Sequence, residues 1–173
     1  MNLEQVAKLI RNVPDFPQPG IQFKDITTAI KNPEAFSFLV DYITKMYTNK
    51  GITKVVGVES RGFILGGAVA AYLGAGFVPV RKPGKLPAES DSIEYSLEYG
   101  TGKLEIHKDA IESNDIVLVH DDLLATGGTA KAAIDLVCIN KPAKVYGNFV
   151  VELDFLNGRN VLEDFNVTTL IHF

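Results

Sequence analysis

The sequence predicts an α/β fold, a Rossmann-like, mostly parallel sheet flanked by helices. Two observations predict it, and a third fixes the domain count. Residues 116–119 form a short apolar run rich in β-branched residues, as in a strand buried on both faces, and the stretches 54–58, 76–80, 144–151 and 167–171 also read as strands. Helical patterns separate most of these runs, which implies βαβ units. No repeat, low-complexity tract or linker divides the 173 residues, so one domain spans 1–173.

The elements follow in order. Leu3, Val6, Ala7 and Ile10 have helical spacing, giving a short amphipathic helix before Pro14. Pro14, Pro17, Pro19 and Gly20 then impose a fixed, irregular path. Residues 21–26 alternate like a strand. Asn32 is placed to cap a helix with Pro33 in its first turn, running through Phe36, Leu39, Val40 and Ile43 to about residue 49. The strand at 54–58 hands over through Glu59, Ser60, Arg61 and Gly62 to a small-residue helix at 63–72. After the strand at 76–80 comes a basic run with Arg81, Lys82 and Lys85, then residues 88–103 with no burial pattern. A long irregular connection inside a compact domain is expected to be a functional lid or a disordered segment. Residues 104–106 alternate briefly before the strand at 116–119.

Composition narrows the function classes. A net charge of −4 gives no support for nucleic-acid or anionic-membrane binding. The single cysteine, Cys138, excludes an intramolecular disulfide and fits a reducing compartment, with packing as its expected role. Residues 1–10 lack a signal-peptide hydrophobic region, and no apolar run reaches the roughly 20 residues of a membrane helix, so a cytoplasmic location is expected.

The stretch 116–130 carries the strongest chemical signal. Its strand ends in Asp121 and Asp122; a small-residue turn follows at Ala125, Thr126, Gly127, Gly128 and Thr129; a helix with Ala133, Ile134 and Val137 on one stripe comes next. Unpaired N–H groups and the macrodipole at the helix start suit a phosphate, and Thr126 and Thr129 add hydroxyls. The two acids would repel an anion, so they are expected to face sugar hydroxyls or a hydrated divalent cation. Phosphate on one side and hydroxyls on the other describe a ribose 5-phosphate.

Other residues are weaker alone. Arg61 suits bidentate binding of a diphosphate, although a surface arginine at a helix start is the blander alternative. Arg81, Lys82 and Lys85 place three cations within five residues at the same sheet edge, which favours anion binding over a solvated charge run. Phe23 reads by itself as a core aromatic, and Glu98 and Tyr99 carry no signal from spacing. His107, His120 and His172 lack metal-ligand spacing, and His120 reads as a satisfied histidine at a strand end. No Walker-type run and no Gly-x-Gly-x-x-Gly occurs.

Together the motifs resemble a known family. Residues 116–130, with DDLLATGGT, resemble the phosphoribosyl pyrophosphate (PRPP) motif of the type I phosphoribosyltransferases, in the form used by their adenine-specific branch. ESRG, RKPGKLP, YSLEYG and DFPQPGIQFKD resemble other family segments in the right order, so the likeness covers nearly the whole chain. It implies a small N-terminal hood at 1–33 over an α/β core at 34–173, with a flexible active-site loop at about 82–103. It also implies Mg²⁺-dependent transfer of the 5-phosphoribosyl group from PRPP to adenine, giving AMP and pyrophosphate, in purine salvage. The Mg²⁺ is expected mainly on the substrate's oxygens.

The implied roles follow the matching positions. Ala125 to Thr129 hold the 5-phosphate, and Asp121 and Asp122 the ribose. Ser60, Arg61, Arg81, Lys82 and Lys85 meet pyrophosphate, with Arg81 contributing from a neighbouring subunit of a homodimer. Phe23 stacks on adenine while the backbone of Gln22 and Lys24 reads its polar edge. Glu98 handles the adenine proton, with Glu94 a nearby competing acid, and Tyr99 orders the closed loop. His120 departs from the family pattern, which carries an apolar residue there. Two alternatives stay open: a xanthine or hypoxanthine–guanine transferase, and a non-enzymatic PRPP-sensing regulator. The hood favours adenine, and the absent winged-helix segment and basic face disfavour the regulator.

Overall fold

A computed structural model describes residues 1–16, 18–96 and 101–173. Its centre is a five-stranded sheet in the order β4 (Gly76–Val80), β3 (Lys54–Val58), β7 (Ile116–Leu124), β8 (Lys144–Glu152), β9 (Asn166–His172), with every pair parallel. Parallel neighbours need crossovers, which are supplied by α4 (Gly62–Leu73) between β3 and β4 and α5 (Gly128–Cys138) between β7 and β8.

Each strand feeds two cores because successive side chains point to opposite faces. In β7, Leu118 enters a core with Leu39, Val40 and Ile43 of α3 (Pro33–Tyr47), Leu65 and Val69 of α4, and Val6 of α1 (Leu3–Leu9). Val117 and Val119 enter the other, with Ile134 and Val137 of α5. The α3 cap forms as expected, the Asn32 side chain accepting from the Ala35 N–H at 3.0 Å with Pro33 in the first turn. Burying Leu39 and Ile43 against the sheet contributes roughly 2 kcal/mol each, more than the cap.

Residues 88–103, expected to be an irregular lid, are corrected in part. β5 (Ser90–Ser96) and β6 (Thr101–His107) pair antiparallel from Ser90↔His107 to Ser96↔Thr101. Leu104 and Ile106 are buried in the α5-side core, with Ile93 and Tyr95 packed against it. The period-two pattern was thus present but carried by only two apolar residues per strand. Residues 97–100, which include the expected Glu98 and Tyr99, lie outside the described residues.

The N-terminal segment also has more order than its prolines suggest. β1 (Arg11–Pro14) pairs antiparallel with β2 (Gln22–Asp25), placing Val13 opposite Phe23. Arg11 donates to Asp25 at 2.5 Å, and Asp25 also accepts from the Thr27 hydroxyl at 2.5 Å. The Thr27 bond and then the Arg11 bond hold its carboxyl down at about 2. A short helix, α2 (Thr27–Ile30), and two 3₁₀ turns, Asp154–Leu156 and Gly158–Leu162, complete the chain.

Candidate active site

Because β4, β3 and β7 are neighbours and parallel, their carboxyl-end loops meet at one sheet edge. There they enclose a cleft of about 380 Å³, lined by Glu59, Arg61, Lys82, Asp121, Asp122 and residues 123–127 among others. Residues of the 125–129 turn, the acidic pair, Arg61 and Lys82 thus share one cleft, and Arg81 and Lys85 do not line it.

The loop ends at Gly127, which precedes α5 with φ +85 and ψ −10, a left-handed conformation that glycine takes without steric cost. Among the described residues no side chain caps α5. Its first N–H groups, with no intrahelical partner by helix geometry, are therefore available to an anion. Thr129 belongs to the first turn, and its hydroxyl lies 3.4 Å from the Tyr95 hydroxyl of the hairpin.

Asp121 and Asp122 lie within β7, which runs five residues beyond the strand expected at 116–119. Burial, then the neighbouring Asp122 charge, pushes the Asp121 carboxyl well above its usual range. Asp122 is almost fully buried and is paired with the Arg61 guanidinium through Nε. That guanidinium lies 5.5 Å from the centroid of Phe23. Burial works against the Arg61 charge, but attraction to Asp122 outweighs it and leaves the group held charged. Arg61, expected on pyrophosphate, therefore joins the hood aromatic to the acidic pair in this structure.

Close approach of α4 to β7 sets this geometry. A Cβ on Gly62 would come 2.7 Å from the His120 carbonyl and 3.0 Å from Asp121 Oδ1, so a side chain there would push Arg61 away from the acids.

Glu59 organises the basic run, a role the sequence does not suggest. Its Oε2 accepts from Arg81 Nε at 3.2 Å and from the Lys82 N–H at 3.0 Å, while Lys85 Nζ lies 3.1 Å from Oε1. Burial opposes ionisation of Glu59, but the Lys82 N–H and the Lys85 and Arg81 side chains outweigh it and hold its carboxyl low. Ser60 lines the cation end of the cleft with Arg61 and Lys82. Arg81 and Lys85, expected on pyrophosphate, are thus engaged by Glu59.

In the hood, Phe23 is half-buried and meets Phe16 edge-on at 5.2 Å, so it is not the core aromatic that pattern alone suggests. The Gln22 side chain accepts from Asn12 at 2.6 Å, and Lys24 Nζ lies 4.2 Å from the Phe173 ring. Both side chains are occupied, so a ligand in the hood would meet their backbone.

His120 is only half-satisfied, against the expectation. Its ring is buried, and Nδ1 lies 3.0 Å from Asn148 Oδ1. Asn148 Nδ2 donates to Thr168 at 3.1 Å, so its oxygen faces the ring and the neutral imidazole carries its proton on Nδ1. Among the described residues Nε2 has no hydrogen-bond partner. Burial drives the ring's pKa down to about 4, more than the Asn148 bond restores.

An acidic strand end is followed here by a glycine-containing turn and a helix in a parallel sheet, and the family of phosphoribosyl transferase domains matches residues 27–151. An adenine phosphoribosyltransferase of Bacteroides fragilis is 58% identical over 164 residues, 95% of this chain and 92% of that protein. Among solved structures, the adenine phosphoribosyltransferase of Thermoanaerobacter pseudethanolicus superposes with a TM-score of 0.94 at 46% identity, covering 99% of this chain and 100% of that one. The APRTase of Giardia lamblia complexed with 9-deazaadenine gives a TM-score of 0.96 at 40% identity, covering 100% and 98%. The chain belongs to the adenine phosphoribosyltransferase family and is therefore an enzyme of the pentosyltransferase type.

Proposed function

We propose that this enzyme transfers the 5-phosphoribosyl group of PRPP to adenine, giving AMP and pyrophosphate for purine salvage. The observation that carries the reading is the shared cleft of the 125–129 turn, the acidic pair and Arg61, with Phe23 beside Arg61. Phosphate binding at the start of α5 fixes one end of the sugar and orients C1. Asp121 and Asp122 hold the ribose hydroxyls. Arg61, Lys82, Arg81, Lys85 and Ser60 stabilise the charge gathering on the departing pyrophosphate. Arg61 must leave Asp122 to do so, which frees that carboxylate for the ribose and opens the Phe23 face for adenine. The hood backbone at Gln22 and Lys24 reads the base, as bound 9-deazaadenine in the Giardia relative makes reasonable. Glu98 takes the adenine proton, with Tyr99 ordering the segment that covers it.

Carboxylates are donors Mg²⁺ accepts, and Glu59, Asp121 and Asp122 supply them at the cleft. Glu59 and Asp122 are already engaged by cations, so substrate oxygens would complete most of the ion's shell. These residues would hold Mg²⁺ beside the departing group, where its positive charge would help offset the charge gathering on pyrophosphate. Glu152, Asp154 and His172 also have ligand atoms within 4.8 Å of one another, but Arg159 already holds Glu152 at 2.6 Å. A homodimer fits the exposure of Tyr72, at 75%, and Ile64 on α4, with Tyr42 on α3. Its second copy would bring Arg81 towards the neighbouring site. No described helix is long and apolar enough to cross a membrane, which is compatible with a cytoplasmic location.

Incubation with PRPP, Mg²⁺ and adenine should yield AMP and pyrophosphate in equal amounts by chromatography, and chelation of the metal should stop it. PRPP bound but not consumed in the presence of any purine would leave a PRPP sensor as the better reading.

A further inference from the structure

The geometry points to Gly158, Arg159 and Glu152 as a brace that positions the 125–129 turn from behind, so that its N–H groups meet the 5-phosphate. The inference rests on the reading of that turn as the phosphate holder and adds three residues to it.

Two backbones touch with no side chain between them. A Cβ on Gly158 would lie 2.0 Å from the Ala125 carbonyl oxygen and 2.9 Å from the Gly127 nitrogen. In the other direction, a Cβ on Gly127 would lie 2.3 Å from the Gly158 oxygen and 2.5 Å from Val161 Cγ2. Neither clash is with the far end of a flexible side chain alone, so an added methyl group must move one backbone or the other. Gly158 is buried, and the turn it supports cannot retreat past it.

The residue after Gly158 is fastened to the sheet. Arg159 Nη2 donates to Glu152 Oε2 at 2.6 Å and to the Thr169 hydroxyl at 2.7 Å; Nη1 donates to the Val167 carbonyl at 3.0 Å, and Nε to Glu152 Oε1 at 3.3 Å. Glu152 is buried at the end of β8, where the next N–H, that of Leu153, donates to the Leu124 carbonyl at 3.0 Å. Leu124 is the residue just before the turn. The turn is therefore held at its entry by β8 and from behind by Gly158, and both supports run to Glu152. The planar fork of arginine makes several directed bonds at once, which a lysine ammonium cannot reproduce.

Such support matters because backbone donors bind an anion well only when held within about half an ångström of their working positions. The brace touches the phosphate turn and does not touch Glu59, Arg61, Lys82 or the other cations. Its loss should therefore weaken one end of the site and spare the other, an asymmetry that general destabilisation would not produce.

Calorimetry with ribose 5-phosphate and, separately, with pyrophosphate plus Mg²⁺ reads the two ends. Gly158→Ala should weaken ribose 5-phosphate binding by about tenfold or more while leaving pyrophosphate within about twofold. Arg159→Lys, which adds nothing at the backbone contact, should shift the same ligand in the same direction and serves if Gly158→Ala does not fold. Equal weakening of both ligands, or unchanged ribose 5-phosphate affinity in a folded variant, would overturn the brace. Wild-type protein that binds pyrophosphate but not ribose 5-phosphate would instead overturn the assignment of the turn, and the brace with it.

Discussion

Replacing Arg61 with alanine lowers kcat/KM for PRPP by about 10²–10³-fold, as expected when one preorganised donor to developing negative charge is removed. The guanidinium meets both halves of the proposed chemistry, pairing with Asp122 and lying 5.5 Å from the Phe23 ring centroid. Its removal takes away the proposed charge-assisted contact to pyrophosphate and leaves the buried Asp122 carboxylate without its cation. Lysine keeps the charge but not the fork, so Arg61→Lys should recover only part of the rate. Initial rates at varied PRPP, with pyrophosphate affinity measured beside them, check the prediction. A variant with near-wild-type turnover would remove Arg61 from the mechanism and leave it a structural partner of Asp122.

The second large effect is on stability. His120 is buried and neutral, with its pKa lowered to about 4 from an ordinary 6.5. Above the unfolded-state value the ring is neutral in both states and its contribution is fully present. As pH falls from about 6.5 to about 4, the unfolded chain takes up a proton that the folded chain refuses, and stability is lost. The loss attributable to this ring is on the order of 3 kcal/mol. Other groups titrate nearby: Asp121, held high, works in the opposite direction, while Glu152 and Glu59, held low, lose stability at still lower pH. The useful quantity is therefore the difference between wild type and His120→Leu, followed by urea unfolding from pH 7 to pH 4. That difference should move in favour of the variant across the window; a constant difference would show that the ring titrates alike in both states.

Legibility in the sequence followed the number of faces an element buries. β3, the first half of β7 and most of β8 pack on both sides, so they read as largely apolar runs, and the loops after β3 and β7 carry the motifs that line the cleft. The β5–β6 hairpin covers one face with Ile93, Tyr95, Leu104 and Ile106, and its polar face hid it. The acidic pair and the phosphate turn are contiguous in sequence and were readable as a unit. Glu59 was not, because an acid at an anion site reads as repulsive until β3–β4 pairing brings Arg81, 22 residues later, to its side. Gly158 acts through a backbone contact that no side-chain pattern encodes. His120 was visible as a departure from the family pattern, but its half-satisfied state needed the position of Asn148.

The central claim is that the cleft holds PRPP while the hood around Phe23 selects adenine. Pyrophosphate release from PRPP and Mg²⁺, with adenine, hypoxanthine, guanine and xanthine supplied separately, tests it most directly. Turnover is expected with adenine and background rates with the three oxopurines. Turnover confined to an oxopurine would keep the PRPP cleft and contradict the assignment of Gln22, Phe23 and Lys24 as adenine readers.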